Sequence, residues 1–229
     1  MANIRVIGLL CGLFGSALCS PTNAEFVVVN SPVFTETGNY SDAFSTNGTT
    51  EYRTSWAQQF TLGQGYTTSS LLWWGGVNGF FGDGPESITG FQIIVWNANF
   101  TQQVVNRTVT ASNYTRTSTG EYNFFGGEVF QYRANFVETL GAGTYNLNIG
   151  AFYAQPGTGH DQFIWSYGAL SDTKPSFFTE NASVNGQWGV WKPYLGGSFS
   201  PGGAFVLNAP TPSALSLLGV AGLVGRRRR

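Results

Sequence analysis

The sequence predicts an all-β protein, an antiparallel β-sandwich of jelly-roll-like type with about ten strands. Three observations carry this reading. Seven Trp, ten Tyr and nineteen Phe sit among 31 glycines, a vocabulary that suits strands and turns. Lysine, a strong helix former, occurs only at Lys174 and Lys192. Several windows alternate apolar and polar residues with period two, and none repeats with the helical period. The many aromatics and sparse charge also exclude a disordered chain. The length suits one domain with a sizeable core.

The chain begins with a leader. Arg5 precedes an apolar run, VIGLLCGLFGSALC, bounded by Ser20 and Pro21. A short basic start before a short apolar stretch is the pattern of a secretory signal peptide. The run is about fourteen residues, roughly 21 Å as a helix, against a hydrocarbon core of ~30 Å. Cleavage is expected after Ala24, in Thr22-Asn23-Ala24, with cleavage after Cys19 as the alternative. Residues 1–24 are therefore read as the leader. Both cysteines, Cys11 and Cys19, lie inside it, so the mature chain would depend on its core rather than on disulfides. Each follows a leucine rather than a small residue, which argues against lipidation.

Residues 25–208 form the body. Glu25–Asn30 is a short apolar strand, and Pro32–Thr50 reads as loop with one edge strand at most. Glu51–Leu62 is read as a strand with Tyr52, Trp56 and Phe60 on one face; that spacing would also suit a helix, but the β-rich neighbours decide against it. Gly63–Thr67 is a turn, and Thr68–Gly76 is a strand carrying the Trp73-Trp74 pair. Val77–Pro85 is a glycine-punctuated loop. In Ile88–Asn97, Phe91, Ile93 and Val95 face one way while Gln92, Ile94 and Trp96 face the other. Gln102–Thr110 alternates again through Val105, Arg107 and Val109. Asn113–Gly127 is polar and glycine-rich, and no strand is assigned to it. Glu128–Leu140 and Thr144–Ala154 both alternate around Gly141-Ala142-Gly143, which predicts a hairpin. Gln162–Tyr167, Gln187–Tyr194 and Ala204–Leu207 complete the strands.

Residues 209–229 read APTPSALSLLGVAGLVGRRRR. Leu215–Gly225 is about eleven residues, roughly 16 Å of helix and short of a ~30 Å span. A short apolar helix is expected there, held on the cytoplasmic side by Arg226, Arg227, Arg228 and Arg229. The order Pro210-Thr211-Pro212-Ser213, apolar run, arginine cluster resembles the PEP-CTERM sorting signal of exported bacterial proteins. The body is similar to β-sandwich domains found ahead of that signal. The matching stretches are Gln58–Leu62, Ser69–Gly76, Phe91–Trp96, Gly141–Ile149, Phe163–Gly168 and Ala204–Ala209. The resemblance implies passage to the cell surface or extracellular matrix. It also implies transient retention at the inner membrane and removal of the tail by an exosortase-type peptidase. Attachment to a surface polymer, an extracellular polysaccharide, is the further partner it implies. One position departs from the family: its acidic residue between the prolines is Thr211 here.

Charge narrows the partners. Arg5 and the four terminal arginines lie outside the body, which keeps six basic residues against twelve acidic ones, a net charge of −6. No basic patch remains to track a phosphate backbone, which argues against nucleic acid.

The chemistry-bearing residues are few. The single histidine, His160, sits beside Asp161 in a glycine loop. One histidine without cysteine gives too few ligands for zinc, so neither metal nor cofactor is expected. The sequence has no nucleophile elbow, P-loop, HExxH or EF-hand loop. Asp83 with Glu86, and Glu36 with Asp42, could supply the paired carboxylates of a glycoside hydrolase or lyase, but such pairs arise easily in a loop-rich chain. Six Asn-x-Ser/Thr sequons occur, as chance allows in so Asn- and Thr-rich a sequence. The tryptophans are more suggestive. Trp73, Trp74, Trp188 and Trp191, with Trp96 and Trp165, could offer flat faces to sugar rings. Adjacent residues point to opposite faces of a strand, so Trp73 and Trp74 cannot both enter one core. One should be exposed or covered by a loop. The expected function is a non-catalytic structural or adhesive module of the cell surface, with carbohydrate binding through tryptophan as the alternative and a carbohydrate-active enzyme as the third.

Overall fold

The structure is a computed structural model that describes residues 24–32, 39–40, 44–46, 49–51, 54–77, 85–123, 125–153, 163–168, 175–180, 189–193 and 203–210. Residues 1–23 of the expected leader, residues 211–229 of the expected tail, Trp188, His160, Asp83, Glu36 and Asp42 lie outside them. Among the described residues there is no α-helix, only a 3-10 turn at Pro85–Ser87.

The strands, in chain order, are β1 (Ala24–Asn30), β2 (Asn39–Tyr40), β3 (Phe44–Thr46), β4 (Thr49–Glu51), β5 (Thr54–Leu62), β6 (Tyr66–Thr67), β7 (Ser70–Val77), β8 (Ile88–Asn97), β9 (Gln103–Thr110), β10 (Tyr114–Tyr122), β11 (Glu128–Asn135), β12 (Thr139–Leu140), β13 (Gly143–Tyr153), β14 (Phe163–Trp165), β15 (Ser176–Glu180), β16 (Lys192–Pro193) and β17 (Phe205–Pro210). A seven-stranded sheet runs β1-β17-β7-β11-β10, with β14 and β2 attached beside β7. A six-stranded sheet runs β16-β15-β5-β13-β8-β9. All pairings are antiparallel. The inner faces of the two sheets meet in one apolar core, a sandwich-like arrangement.

Period-two patterning builds that core. Phe91, Ile93 and Val95 of β8 and Leu147, Ile149 and Ala151 of β13 pack against Leu71 and Trp73 of β7 and Phe130 and Tyr132 of β11. Aromatic rings fill the centre. Trp73 stands edge-on to Phe91 with centroids 5.0 Å apart and lies parallel to Tyr132 at 5.6 Å. Phe91 also meets Tyr132 at 4.8 Å and Phe163 at 5.2 Å. Such pairs contribute about 0.5–1.5 kcal/mol each beyond their buried area.

The Gly75-Gly76 step explains how β7 sits in the middle of its sheet. One edge of β7 pairs with β11. The other is shared, by β17 along Ser70–Trp73 and by β14 along Gly75–Val77. At the changeover Ser166 N donates to Trp74 O (3.0 Å) and Ala204 N donates to Ser166 O (2.8 Å). A Cβ on Gly75 would run into the Phe163 ring, and one on Gly76 into the carbonyl of Glu128. Only glycine lets the flanking chains approach this closely.

Three expectations change. The predicted hairpin around Gly141 is not one: β11 belongs to the seven-stranded sheet and β13 to the six-stranded sheet. Between them the chain crosses the sandwich, and β12 pairs briefly with β6, inside the stretch read as a turn. Asn113–Gly127 is not simply loop, because it contains β10, an edge strand whose residues are mostly exposed. With neither face deeply buried, it shows no apolar alternation to read. Pro32–Thr50 holds β2, β3 and the start of β4 rather than a single edge strand, and β15 was not anticipated.

Candidate functional site

The sequence-derived tryptophans separate into distinct environments. Trp73 is 0 % exposed and belongs to the central core. Trp74 points to the other side of its sheet and is 8 % exposed, packed with Val129, Ala204, Val206 and Leu72. Opposite faces are what strand geometry requires, but both rings are enclosed by protein. Neither offers a flat face to a sugar. Trp165 is also sealed, its Nε1 donating to Ala204 O at 2.9 Å. Trp191 is different: it is half-buried, at the rim of the six-stranded sheet, just before the exposed strand β16.

Around Trp191 the outer face of that sheet carries an aromatic cluster. Trp191 lies parallel to Phe100 at 4.6 Å and 13°, and meets Trp96 at 6.1 Å. Phe100 also meets Phe177 of β15 at 5.0 Å. Phe100 and Phe177 were not singled out by sequence reasoning, because the turn and strand that bring them together are far apart in the chain. The signal for Phe100 was present in Asn97-Ala98-Asn99, a turn composition.

Strand register sets polar residues beside these rings. Because Leu147 and Ile149 face the core, Asn146 and Asn148 of β13 face outward. Asn148 aligns with Ala57 and Ile94, and Asn146 with Gln59 and Trp96. Thr179 and Ser55 align in the next row towards one edge, and Gln92 in the same row beyond Gly150. Asn146 Nδ2 donates to Asn97 O (2.9 Å) and Ala98 O (3.2 Å), which ties down the turn carrying Phe100. Asn148 Nδ2 donates to Trp56 O at 2.7 Å, and Gln92 Nε2 to Asn106 Oδ1 at 2.8 Å. The oxygens Asn146 Oδ1, Asn148 Oδ1, Gln92 Oε1, Ser55 Oγ and Thr179 Oγ1 are buried without a hydrogen-bond partner. An unsatisfied buried polar atom costs about 1–3 kcal/mol. Five such oxygens lie on this one sheet face.

A second feature is open to solvent. A cleft of about 620 Å³ lies between edge strand β9 of one sheet and the β10–β11 pair of the other, lined by Arg107, Arg133 and neighbouring polar residues. Arg107 Nε donates to Glu138 Oε1 in the only ion pair among the described residues, and its Nη2 approaches Val137 O at 3.4 Å. Tyr114 borders the cleft, its hydroxyl donating to Ile88 O at 3.5 Å. Burial raises the Tyr114 phenol above its ordinary range, and Arg116 partly opposes this.

Of the carboxylates paired in the sequence, only Glu86 is described, exposed in the 3-10 turn. Among the described residues no three His, Cys, Asp or Glu side chains gather as metal ligands. Ala24 and Pro210, where the expected leader and tail meet the body, both lie in strands and are register partners. No protein-family model, curated protein or solved structure matches the chain.

Proposed function

We propose that this chain is an exported module of the cell surface or extracellular matrix, non-catalytic and structural or adhesive, with a jelly-roll-like body. In this reading the leader to Ala24 directs export. The tail from Pro210-Thr211-Pro212-Ser213 to Arg226, Arg227, Arg228 and Arg229 holds the chain briefly at the inner membrane and is removed by an exosortase-type peptidase. One observation supports it above the others: the ladder at the margin of the body. β1 and β17 pair from Ala24↔Pro210 to Asn30↔Phe205. Cutting after Ala24 and beyond Pro210 would leave the ladder from Glu25↔Ala209 onward intact. A domain bounded in this way tolerates loss of both processing segments. Mass spectrometry of the protein recovered from its own host tests the proposal. The mature chain should begin near Glu25 and end near Thr211 or Pro212, and a secreted form still ending in Arg229 would sink the sorting claim.

A second reading, neutral carbohydrate binding, is favoured by one observation. The half-buried Trp191 stacks on Phe100 at the rim of the six-stranded sheet. An aromatic ring offers a flat apolar face to a sugar ring. This reading requires that a neutral glucan oligosaccharide bind the protein and that Trp191→Ala remove that binding with the fold intact.

A further inference from the structure

We propose that the cleft between β9 and the β10–β11 pair binds a carboxylate-bearing sugar unit of an acidic polysaccharide. The site is separate from the aromatic face and does not rest on the sorting tail.

Charge gives the first argument. The body carries six basic residues against twelve acidic ones. Two of its arginines, Arg107 and Arg133, nevertheless line one cleft. Glu138 answers Arg107 and fixes its guanidinium at the rim. Arg133, an exposed residue, makes no ion pair among the described residues. The cleft therefore presents an uncompensated guanidinium in an acidic protein. A guanidinium's planar fork matches a carboxylate with two parallel hydrogen bonds.

Size and lining give the second. At about 620 Å³ the cleft is far roomier than a bare inorganic anion needs, and falls in the usual range of small-molecule sites. Apart from Val109 and Ala134, its other residues carry hydroxyls and amides, among them Thr108, Asn113, Thr115 and Asn135. Such groups both donate and accept, as the hydroxyls of a sugar ring require. Nucleic acid is a poorer fit, since its backbone is bound by many cations in a track rather than by two.

The test is calorimetric titration of the full chain at physiological ionic strength with three probes: a short homouronate oligosaccharide, a neutral glucan oligosaccharide of equal length, and inorganic phosphate. The uronate should bind at least about tenfold more tightly than either of the others. Arg133→Gln should weaken uronate binding at least about tenfold, and Arg133→Lys should recover only part of it, because lysine keeps the charge and loses the fork. Arg133 is exposed, so both of its variants should melt with the parent protein. Failure of the parent to bind uronate, equal binding of uronate and neutral sugar, equal binding of phosphate, or unchanged uronate binding by Arg133→Gln would each overturn the proposal.

Discussion

Phe100 holds a left-handed backbone conformation, φ 59°, in the turn between β8 and β9. For a residue with a Cβ this costs about 1–2 kcal/mol. The surroundings impose it. Asn97 Oδ1 accepts from the Thr101 amide (2.9 Å) and the Gln102 amide (3.2 Å), and the Phe100 ring is held by Trp191 and Phe177. Phe100→Ala would lose the ring contacts and keep the strain, whereas Phe100→Gly would lose the same contacts and relieve it. Urea denaturation should find the glycine variant more stable than the alanine variant by roughly 1 kcal/mol. Equal stabilities would mean the turn is not left-handed in solution. The strain itself was not legible in the sequence. It arises from partners on β13, β15 and the segment ahead of β16. The opposed directions of Trp73 and Trp74 were legible, since they follow from strand geometry alone. That Trp74 would be covered was not, because Val129, Ala204 and Val206 reach it from other strands.

At the scale of elements, alternation located most of the long strands with a buried face and missed β10, which has none, and the short β15. In β8 both faces were readable from Phe91, Ile93 and Val95 against Gln92, Ile94 and Trp96. β10, with the sequence YTRTSTGEY, is an exposed edge, and nothing in its pattern separates it from a polar loop. Partner choice was harder still. β11 and β13 each alternate well and flank a glycine turn, yet they enter different sheets, because alternation specifies a face and not a neighbour. Glycines next to β-rich segments also carry unequal weight. Gly76→Ala would drive a Cβ into the Glu128 carbonyl on the paired strand, while a Cβ at Gly63 meets nothing within 4 Å. Thermal melting should show a loss of about 1–3 kcal/mol for Gly76→Ala and a change within about 0.5 kcal/mol for Gly63→Ala. Comparable losses in both would mean that close packing at the β7–β11 contact is not what selects glycine there.

For the molecule as a whole, stability rests on a core that both sheets share, and Tyr132 sits inside it. Burial raises its phenol far above the ordinary 10.0, and Arg116 opposes the shift without reversing it. The Arg116 guanidinium lies over the Phe130 ring, 5.0 Å from its centroid. Below pH 10 the phenol is neutral folded and unfolded alike. Above it the unfolded chain releases the proton while the folded chain keeps it, so stability falls as pH rises. Tyr114 acts in the same direction. Urea midpoints taken from pH 7 to 11 should decline at the alkaline end, and Tyr132→Phe should reduce that decline while leaving stability at pH 7 within about 1 kcal/mol. Equal alkaline slopes in the two proteins would remove Tyr132 from the account. The pairing of β17 with β1 on one side and β7 on the other has a mechanical consequence. Antiparallel hydrogen bonds lie perpendicular to the strands. Tension applied beyond Pro210 therefore shears both ladders at once, and many bonds must yield together. Tension drawn between Ala24 and Pro210 instead peels the β1–β17 ladder apart one bond at a time. The body is a stiff link when loaded through its C-terminal end and a weak one when stretched between its two ends.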